Sequence, residues 1–442
     1  MTPIRLYLLG LLALLAAPLA MAGADPLQTV AEQSGFTRTG RYEEVIRLCN
    51  AFAERYPDAV RCIEFGRTPE GRPMQALIVS TSGAMSGAKA QKLPVVLIQG
   101  GIHSGEIDGK DAGFLALRQV LDGEAAKGSL DKLVLVFVPV FNIDGHERFK
   151  AWNRPNQRGP EQMGWRTTAQ NFNLNRDYVK ADSAEMQAML GLINDWKPIT
   201  LVDLHVTDGA KFEHDISINV EPVYSGDAQM RKAGRSLRSD LVNMLAKQGS
   251  LPLAFYPSFV EYYKASDKSH LIDFRGYAYT RTPSEISGAL MTRYDESKPQ
   301  VWKIPLRDDV QPDLTVQAPA GGYVIPVAEA AWVERKLTLH GIEFRRLHKA
   351  IPKAVVETFR ADKASFSAQS FESHQNLTLE GAWKAEPRDI SAGSLFVPIA
   401  QAKARLVMAL LEPTAPDSLL AWGEFNNAYE RKEYMEPYVA EA

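Results

Sequence analysis

Short apolar runs alternate with amphipathic segments through the first half of this chain. Runs such as 95–99 and 133–138 are almost entirely apolar and too short for buried helices, so they predict strands covered on both faces. This alternation predicts an α/β fold with a largely parallel sheet, in which ligands bind at the carboxyl ends of the strands. The predicted strands are 60–65, 74–80, 95–99, 133–138 and 199–205, and the predicted helices are 41–56, 108–121 and 185–196.

The first 22 residues predict a signal peptide. Arg5 precedes an apolar stretch over 6–17, and Ala20-Met21-Ala22 matches the small-residue pattern of a cleavage site. A membrane anchor is the alternative, although the apolar stretch is short for a bilayer. We expect a periplasmic or secreted protein whose mature chain begins near Gly23 and has no membrane span.

Net charge and cysteine content narrow the choice of partners. A net charge of −3 over 442 residues favours neither a nucleic-acid partner nor an acidic membrane. Cys49 and Cys62 are the two cysteines of the sequence, and no further cysteine completes a zinc cluster with them. We predict that they form a disulfide in an oxidising compartment, with a metal site as the alternative.

The character of the sequence changes at about residue 301. Prolines become frequent, and short alternating segments such as 322–326 and 395–398 predict strands separated by turns. One helix is predicted over 327–340. We therefore expect a first domain over 23–300, followed by a β-rich accessory domain over 301–442.

The loop His103-Ser104-Gly105-Glu106 follows the strand 95–99. A histidine with an acidic residue three positions later is a weak signal, because 53 acidic residues among 442 give 8 histidines about one such match by chance. The preceding pair Gly100-Gly101 strengthens the signal, since glycines permit a tight turn and a close approach of backbone to a ligand.

His205 ends the predicted strand 199–205, at the same edge of the sheet as this loop. Two histidines and a glutamate supply the three protein ligands of a catalytic zinc and leave one position open. His103, Glu106 and His205 are therefore candidate zinc ligands. Asp203 lies on the same face of its strand as His205 and is a candidate to orient a ligand by a hydrogen bond.

Asn175 and Arg176 lie in a polar loop between the predicted strands 133–138 and 199–205. An arginine presents a planar fork of donors that matches a carboxylate, so this pair is a candidate carboxylate-binding site. Arg154 and Arg158 lie upstream, and one of them is a candidate to polarise a substrate carbonyl.

These motifs together resemble the M14 family of zinc carboxypeptidases. The resemblance rests on His103-Ser104-Gly105-Glu106, 139–145 (Pro-Val-Phe-Asn-Ile-Asp-Gly), Asn175-Arg176 and His205, in this order, and covers about residues 42–256. It implies an α/β/α fold with a mixed eight-stranded sheet and one zinc ion held by His103, Glu106 and His205.

The resemblance also implies an activity, the hydrolysis of C-terminal peptide bonds by a metal-activated water. Asn175 and Arg176 would bind the terminal carboxylate of a peptide substrate. Arg154 would assist the scissile carbonyl, with Arg158 as the alternative.

One part of the family pattern has no clear match, the glutamate that serves as general base at the end of an apolar strand. Glu285 lies at a suitable distance but in a polar, proline-broken segment, and Glu261 comes early in the sequence. A second interpretation is that 262–268 is a junction across a missing piece, so that the zinc domain is incomplete after about residue 262.

Two other functions remain open at this point. One is a catalytically impaired protein that retains zinc and binds peptide C-termini. The other is a zinc deacylase or amidase on the same fold, which would act on small N-acyl substrates.

Overall fold

A computed structural model describes residues 25–90, 92–155, 157–207, 209, 211–254, 264–265, 270–306, 310–312 and 314–433. The predicted signal peptide, Glu261 and most of the predicted junction 262–268 lie outside these ranges. Among the described helices, none has the length and apolar character needed to span a bilayer. The chain divides into two compact units, and the first comprises Met1–Asn153, Gly159–Ala169 and Asp195–His205.

The first unit is built around a five-stranded mixed sheet. Its strands are β1 Val60–Arg67, β2 Pro73–Val79, β3 Val95–Gly100, β4 Val134–Val138 and β5 Thr200–Leu204. Its helices are α1 Val30–Gln33, α2 Tyr42–Arg55, α3 Gly87–Ala90, α4 Asp108–Leu121 and α5 Ile143–Glu147. The strands follow the order β1-β2-β4-β3-β5.

Both parallel pairings of this sheet involve β3, which lies between β4 and β5. Strands β1 and β2 are antiparallel because a tight turn joins them, with the amide of Gly71 donating to the carbonyl of Thr68 at 2.8 Å. The α/β fold with a mixed sheet is confirmed, whereas a largely parallel sheet is not. The resemblance implied eight strands, and the described residues of the first unit contribute five to this sheet.

A disulfide fastens α2 to the edge of this sheet. Cys49 on α2 and Cys62 on β1 are bonded, with a Cα–Cα distance of 5.4 Å. The predicted pairing is therefore confirmed. Helix α2 buries an apolar face that includes Val45, Leu48 and Phe52, which accounts for its close approach to β1.

The second unit comprises Arg154–Arg158, Gln170–Asn194 and Val206–Ala442. Its helices are α6 Ala184–Trp196 (the last two residues belong to the first unit), α7 Ala228–Lys247, α8 Val327–Leu339, α9 Ala404–Leu411 and α10 Asn426–Tyr429. Its strands are β6 Ile216–Ser217, β7 Pro252–Leu253, β8 Lys264–Ala265, β9 His270–Pro283, β10 Leu290–Leu306, β11 Val310–Gln311, β12 Gly322–Ile325, β13 Arg345–Arg346, β14 Ile351–Phe366, β15 Leu377–Ile390 and β16 Leu395–Pro398.

The C-terminal part of this unit has its own apolar core. Strands β12, β16 and β13 form a sheet, and Leu395 and Val397 on β16 pack with Val333 on α8 and Val407 on α9. The pairs β9–β10 and β14–β15 form two long antiparallel hairpins. The predicted β-rich C-terminal region is confirmed, and the domain boundary at residue 300 stays a prediction.

Candidate metal site

The loop after β3 turns sharply at Gly101, which has φ +63°, a conformation that glycine adopts without strain. The loop after β4 is fastened to the same place, because the amide of Phe141 donates to the carbonyl of Gly100 at 2.9 Å. Within the turn, the amide of Glu106 donates to the carbonyl of His103 at 2.8 Å. The glycine-framed loop thus holds these two side chains on one side of the sheet's carboxyl edge.

Three predicted ligands converge at this edge. Nδ1 of His103 lies 3.1 Å from Oε1 of Glu106, and Nδ1 of His205 lies 3.0 Å from Oε2 of the same carboxylate. The candidate ligand atoms of the three residues all lie within 4.8 Å of one another. His103 and Glu106 are buried, whereas the His205 side chain keeps 33% of its surface exposed.

The donor set fits a zinc ion. Two imidazole nitrogens and one carboxylate are the ligands of many catalytic zinc sites, which keep a further position for water or substrate. The two imidazole rings are 5.0 Å apart and inclined at 65°, so their Nδ1 atoms face the carboxylate from different directions. Burial of two ligands beside a partly exposed third is compatible with an open coordination position.

Asp203 contacts His205 on the side opposite to Glu106. Nε2 of His205 lies 3.1 Å from Oδ2 of Asp203, which is the contact that the sequence predicted for this residue. Burial alone would lower the pKa of His205, but hydrogen bonds and charge from Asp203 and Glu106 raise it to about 10. The contact fixes the orientation of the ring and directs Nδ1 toward the candidate metal position.

Arg166 lies beside these ligands, and the sequence analysis missed it. Its guanidinium lies 3.8 Å from Oε1 of Glu106 and 3.4 Å from Nδ1 of His103. The side-chain amide of Asn142 donates to the carbonyl of Arg166 at 2.9 Å, which fixes the backbone of Arg166 beside the strand-end motif. The residue two positions earlier is Gly164, where a Cβ would lie 2.8 Å from the Cβ of Ser104.

That close approach explains why no sequence pattern identified Arg166 as a site residue. Gly164 is needed because the segment packs directly against the metal-site loop, and such a contact between distant parts of the chain leaves no local pattern. The only sequence signal was an arginine following an aromatic residue, Trp165, in a polar loop.

The other predicted substrate-binding residues belong to the second unit. Asn175 and Arg176 lie in a 3₁₀ turn, Leu174–Arg176, in which the Arg176 guanidinium donates to the carbonyl of Asn175 at 2.8 Å. Arg154 is buried, whereas Arg158 is exposed and pairs with Glu296. Their assignments to a substrate stay predictions.

No described residue matches the general base that the family resemblance implies at a buried strand end. Glu285 lies in the exposed turn that joins β9 and β10, a setting unlike the buried strand end that the family resemblance implies. Glu261 lies outside the described residues. The base therefore stays unassigned.

A second cluster of candidate ligand atoms occurs in the second unit, formed by Asp182, His374 and Glu424. The ammonium group of Lys336 lies 3.0 Å from Asp182 and 3.0 Å from Glu424. Since Lys336 already pairs with both carboxylates and His374 also pairs with Asp182, this cluster is an ion-pair network and carries no metal assignment.

Comparison with known proteins identifies a family and several partial relatives. The family model for zinc carboxypeptidases matches residues 45–290. Carboxypeptidase B of Helicoverpa zea is 27% identical over 171 residues, which cover 35% of this chain and 38% of that protein. An inactive metallocarboxypeptidase of Schizosaccharomyces pombe is 35% identical over 111 residues, covering 24% of this chain and 22% of that protein.

Among solved structures, carboxypeptidase A of Helicoverpa armigera is similar at 19% identity, with a TM-score of 0.35 and coverage of 47% of this chain and 54% of that one. The matches to the two curated relatives span well under half of their own lengths.

Proposed function

This chain belongs to the zinc carboxypeptidase family, and we propose on that basis that it is a zinc-dependent metallocarboxypeptidase that hydrolyses the C-terminal bond of peptide substrates. The observation that carries the proposal is the convergence of His103, Glu106 and His205, whose candidate ligand atoms lie within 4.8 Å of one another. Three residues from two strand ends, with 99 positions between Glu106 and His205, bring together the donor set that many catalytic zinc sites use.

Under this proposal, His103, Glu106 and His205 hold one zinc ion, and Asp203 orients His205. When bound, zinc polarises a substrate carbonyl and lowers the pKa of water. The neighbouring guanidinium of Arg166 supplies a fixed positive charge beside the ligands. It is therefore a candidate to stabilise negative charge that develops on the carbonyl oxygen, in addition to the predicted candidates Arg154 and Arg158.

Asn175 and Arg176 are proposed to bind the terminal carboxylate of the substrate. Both are half-buried in a short turn, and arginine offers two parallel donors to a carboxylate. This assignment predicts a preference for free C-termini, because a C-terminal amide would leave the positive charge unpaired.

A second candidate function is zinc-dependent binding of peptide C-termini without efficient hydrolysis. Two observations favour it: Glu285 lies in an exposed hairpin turn, and the relative from Schizosaccharomyces pombe is described as inactive. Loss of a general base typically costs about 10²–10⁴-fold in rate. Because this loss leaves the proposed ligand-binding residues in place, such a protein would still bind its ligand.

We further propose that the protein acts in the periplasm or outside the cell. The predicted signal peptide over 1–22 supports this location, and the disulfide between Cys49 and Cys62 is typical of oxidising compartments.

The proposed function is tested with a panel of N-blocked dipeptides and tripeptides, each prepared with a free C-terminus and with a C-terminal amide. We expect release of the last residue from the free acids alone, loss of this activity on zinc removal, and its return on zinc addition. Binding of the free acids without turnover would support the binding protein instead. Cleavage of simple N-acyl amino acids with no cleavage of peptides would support a deacylase.

A further inference from the structure

The turn Asn173–Arg176, here called the carboxylate turn, is too short to be stable alone. Its 3₁₀ helix has three residues, and the side chain of Asn173 caps it by accepting from the amide of Asn175 at 3.2 Å. An isolated turn of this length has few hydrogen bonds to offset the entropy of ordering it. Its position must therefore depend on what packs against it.

Lys180 connects this turn to the C-terminal module, which we define as Gly322–Tyr429. The Lys180 side chain is buried, and its ammonium donates to the carbonyl of Arg176 at 2.6 Å. The same ammonium lies 4.3 Å from the centre of the Trp422 ring, which is a cation–π contact. The carbonyl of Arg176 is thus hydrogen-bonded to Lys180, and the ammonium of Lys180 packs against Trp422 of the module.

The chain that follows the turn is held by further residues of the module. Asp182 accepts from Lys336 at 3.0 Å and pairs with His374 at 2.7 Å. His340 contacts the carbonyl of Val179 at 2.9 Å. These contacts fix residues 179–182, the segment that contains Lys180.

The tip of the β14–β15 hairpin reaches the other end of the turn. The side-chain amide of Asn173 donates to Glu372 at 3.1 Å. Residue Phe371 stacks on Trp422 with the ring centres 6.3 Å apart, which joins the hairpin tip to the cation–π contact. The carboxylate turn is therefore held from both ends by one module.

We propose that the C-terminal module positions the carboxylate turn for substrate binding, with Lys180, Trp422 and His374 as positioning residues. This inference rests on the proposed function, in which Asn175 and Arg176 bind the substrate carboxylate. The module is then part of the specificity apparatus for free C-termini, and the accessory region has a role in the reaction although it supplies no metal ligand.

The test uses the full-length, zinc-loaded protein with Trp422→Leu, which removes the cation–π surface, and Trp422→Phe, which keeps an aromatic face. Trp383→Leu is the matched control, because Trp383 lies in the same module but packs on Phe359 and Tyr323. Hydrogen exchange of residues 173–183 and the values of KM and kcat for a free-acid dipeptide are measured for each variant.

We expect Trp422→Leu to accelerate exchange across 173–183 and to raise KM roughly fivefold to tenfold, as the loss of a desolvated cation–π contact allows. The value of kcat and the zinc content should stay near those of the wild type, and Trp422→Phe should restore most of the affinity. If Trp422→Leu does not fold, His374→Ala takes its place, because His374 lies at a hairpin tip.

An unchanged KM would overturn the inference, whether or not exchange increases. A fall in kcat with loss of zinc would also overturn it, since that result indicates general damage. If the wild type neither cleaves nor binds free-acid peptides, the proposed function fails, and the exchange comparison decides whether the module holds the turn.

Discussion

Nε2 of His205 lies 3.1 Å from Oδ2 of Asp203, so the imidazole presents its other nitrogen to the carboxylate of Glu106. The pairing sets which nitrogen faces a metal: with Nε2–H held by Asp203, Nδ1 is the nitrogen that would give up its proton on metal binding. Asp203 lies on β5 and His205 directly follows this strand, and their spacing of two positions places them on the same face. A metal ligand and the group that orients it are thus encoded in three consecutive residues.

Replacing Asp203 by alanine should weaken zinc binding without removing a ligand. Loss of a partner that orients a ligating histidine typically costs about 10–100-fold in metal affinity. Competition with a fluorescent chelator measures the change. Asp131→Ala, at an exposed position of the same unit, serves as the control. Equal zinc affinities for both variants would mean that the contact has no role in binding.

Arg166 and Arg154 are competing candidates for the residue that polarises the substrate carbonyl, and one pair of variants separates them. We expect Arg166→Ala to lower kcat about 10²–10³-fold with zinc content unchanged, as removal of a charge beside the reacting carbonyl would do. Steady-state kinetics on the same dipeptide should show a smaller effect for Arg154→Ala. The reverse order of the two effects would restore the assignment implied by the family resemblance.

Because His146 is buried in its neutral form, the folded protein should lose stability in mild acid. Burial, followed by the charge of Lys110, lowers the pKa of His146 from 6.5 to about 3, and its Nδ1 is buried without a hydrogen-bond partner among the described residues. The unfolded chain therefore takes up a proton that the folded chain excludes. Its contribution to stability is complete above pH 6.5 and declines as the pH falls toward 3.

Between pH 7 and pH 5 this effect should lower the free energy of unfolding by about 2 kcal/mol. Urea unfolding of the wild type is compared with that of His146→Gln, which keeps a donor for the carbonyl of Gly40. The variant should lose less stability over this interval. Parallel pH profiles for the two proteins would exclude His146 as the cause.

The disulfide between Cys49 and Cys62 should stabilise the first unit by restricting its unfolded state. The two cysteines are 13 positions apart, and a loop of about this length contributes about 3 kcal/mol in the chain-entropy model. Urea unfolding of the double variant Cys49→Ala and Cys62→Ala, compared with the oxidised wild type, measures this contribution. The fully reduced wild type should resemble the variant, and equal stability of all three forms would refute the prediction.

The elements that surround the site were predictable because their signals are local. Strands β3 and β4 are short apolar runs, and helix α4 was predicted with the bounds Asp108–Leu121 that it has in the structure. The convergence of His103 and His205 followed from the rule that parallel strands end at the same edge. These predictions needed no knowledge of distant contacts.

The features that were missed depend on contacts between distant parts of the chain or lack an apolar pattern. Helix α7 escaped prediction because its apolar residues Met230, Leu237 and Met244 remain exposed, although Asp227 caps it by accepting from two amides. The position of Arg166 depends on the packing of Gly164 against the metal-site loop. The support of the carboxylate turn by Trp422 joins residues more than 240 positions apart, which no periodicity reveals.

Zinc stoichiometry tests the central claim most directly. Elemental analysis of purified wild type, after removal of loosely bound metal, should give one zinc ion per chain. His103→Ala should bind little zinc, whereas His348→Ala, which replaces an exposed histidine of the second unit, should retain the full complement. A full complement of tightly bound zinc in His103→Ala would contradict the assignment of the metal site and the function built on it.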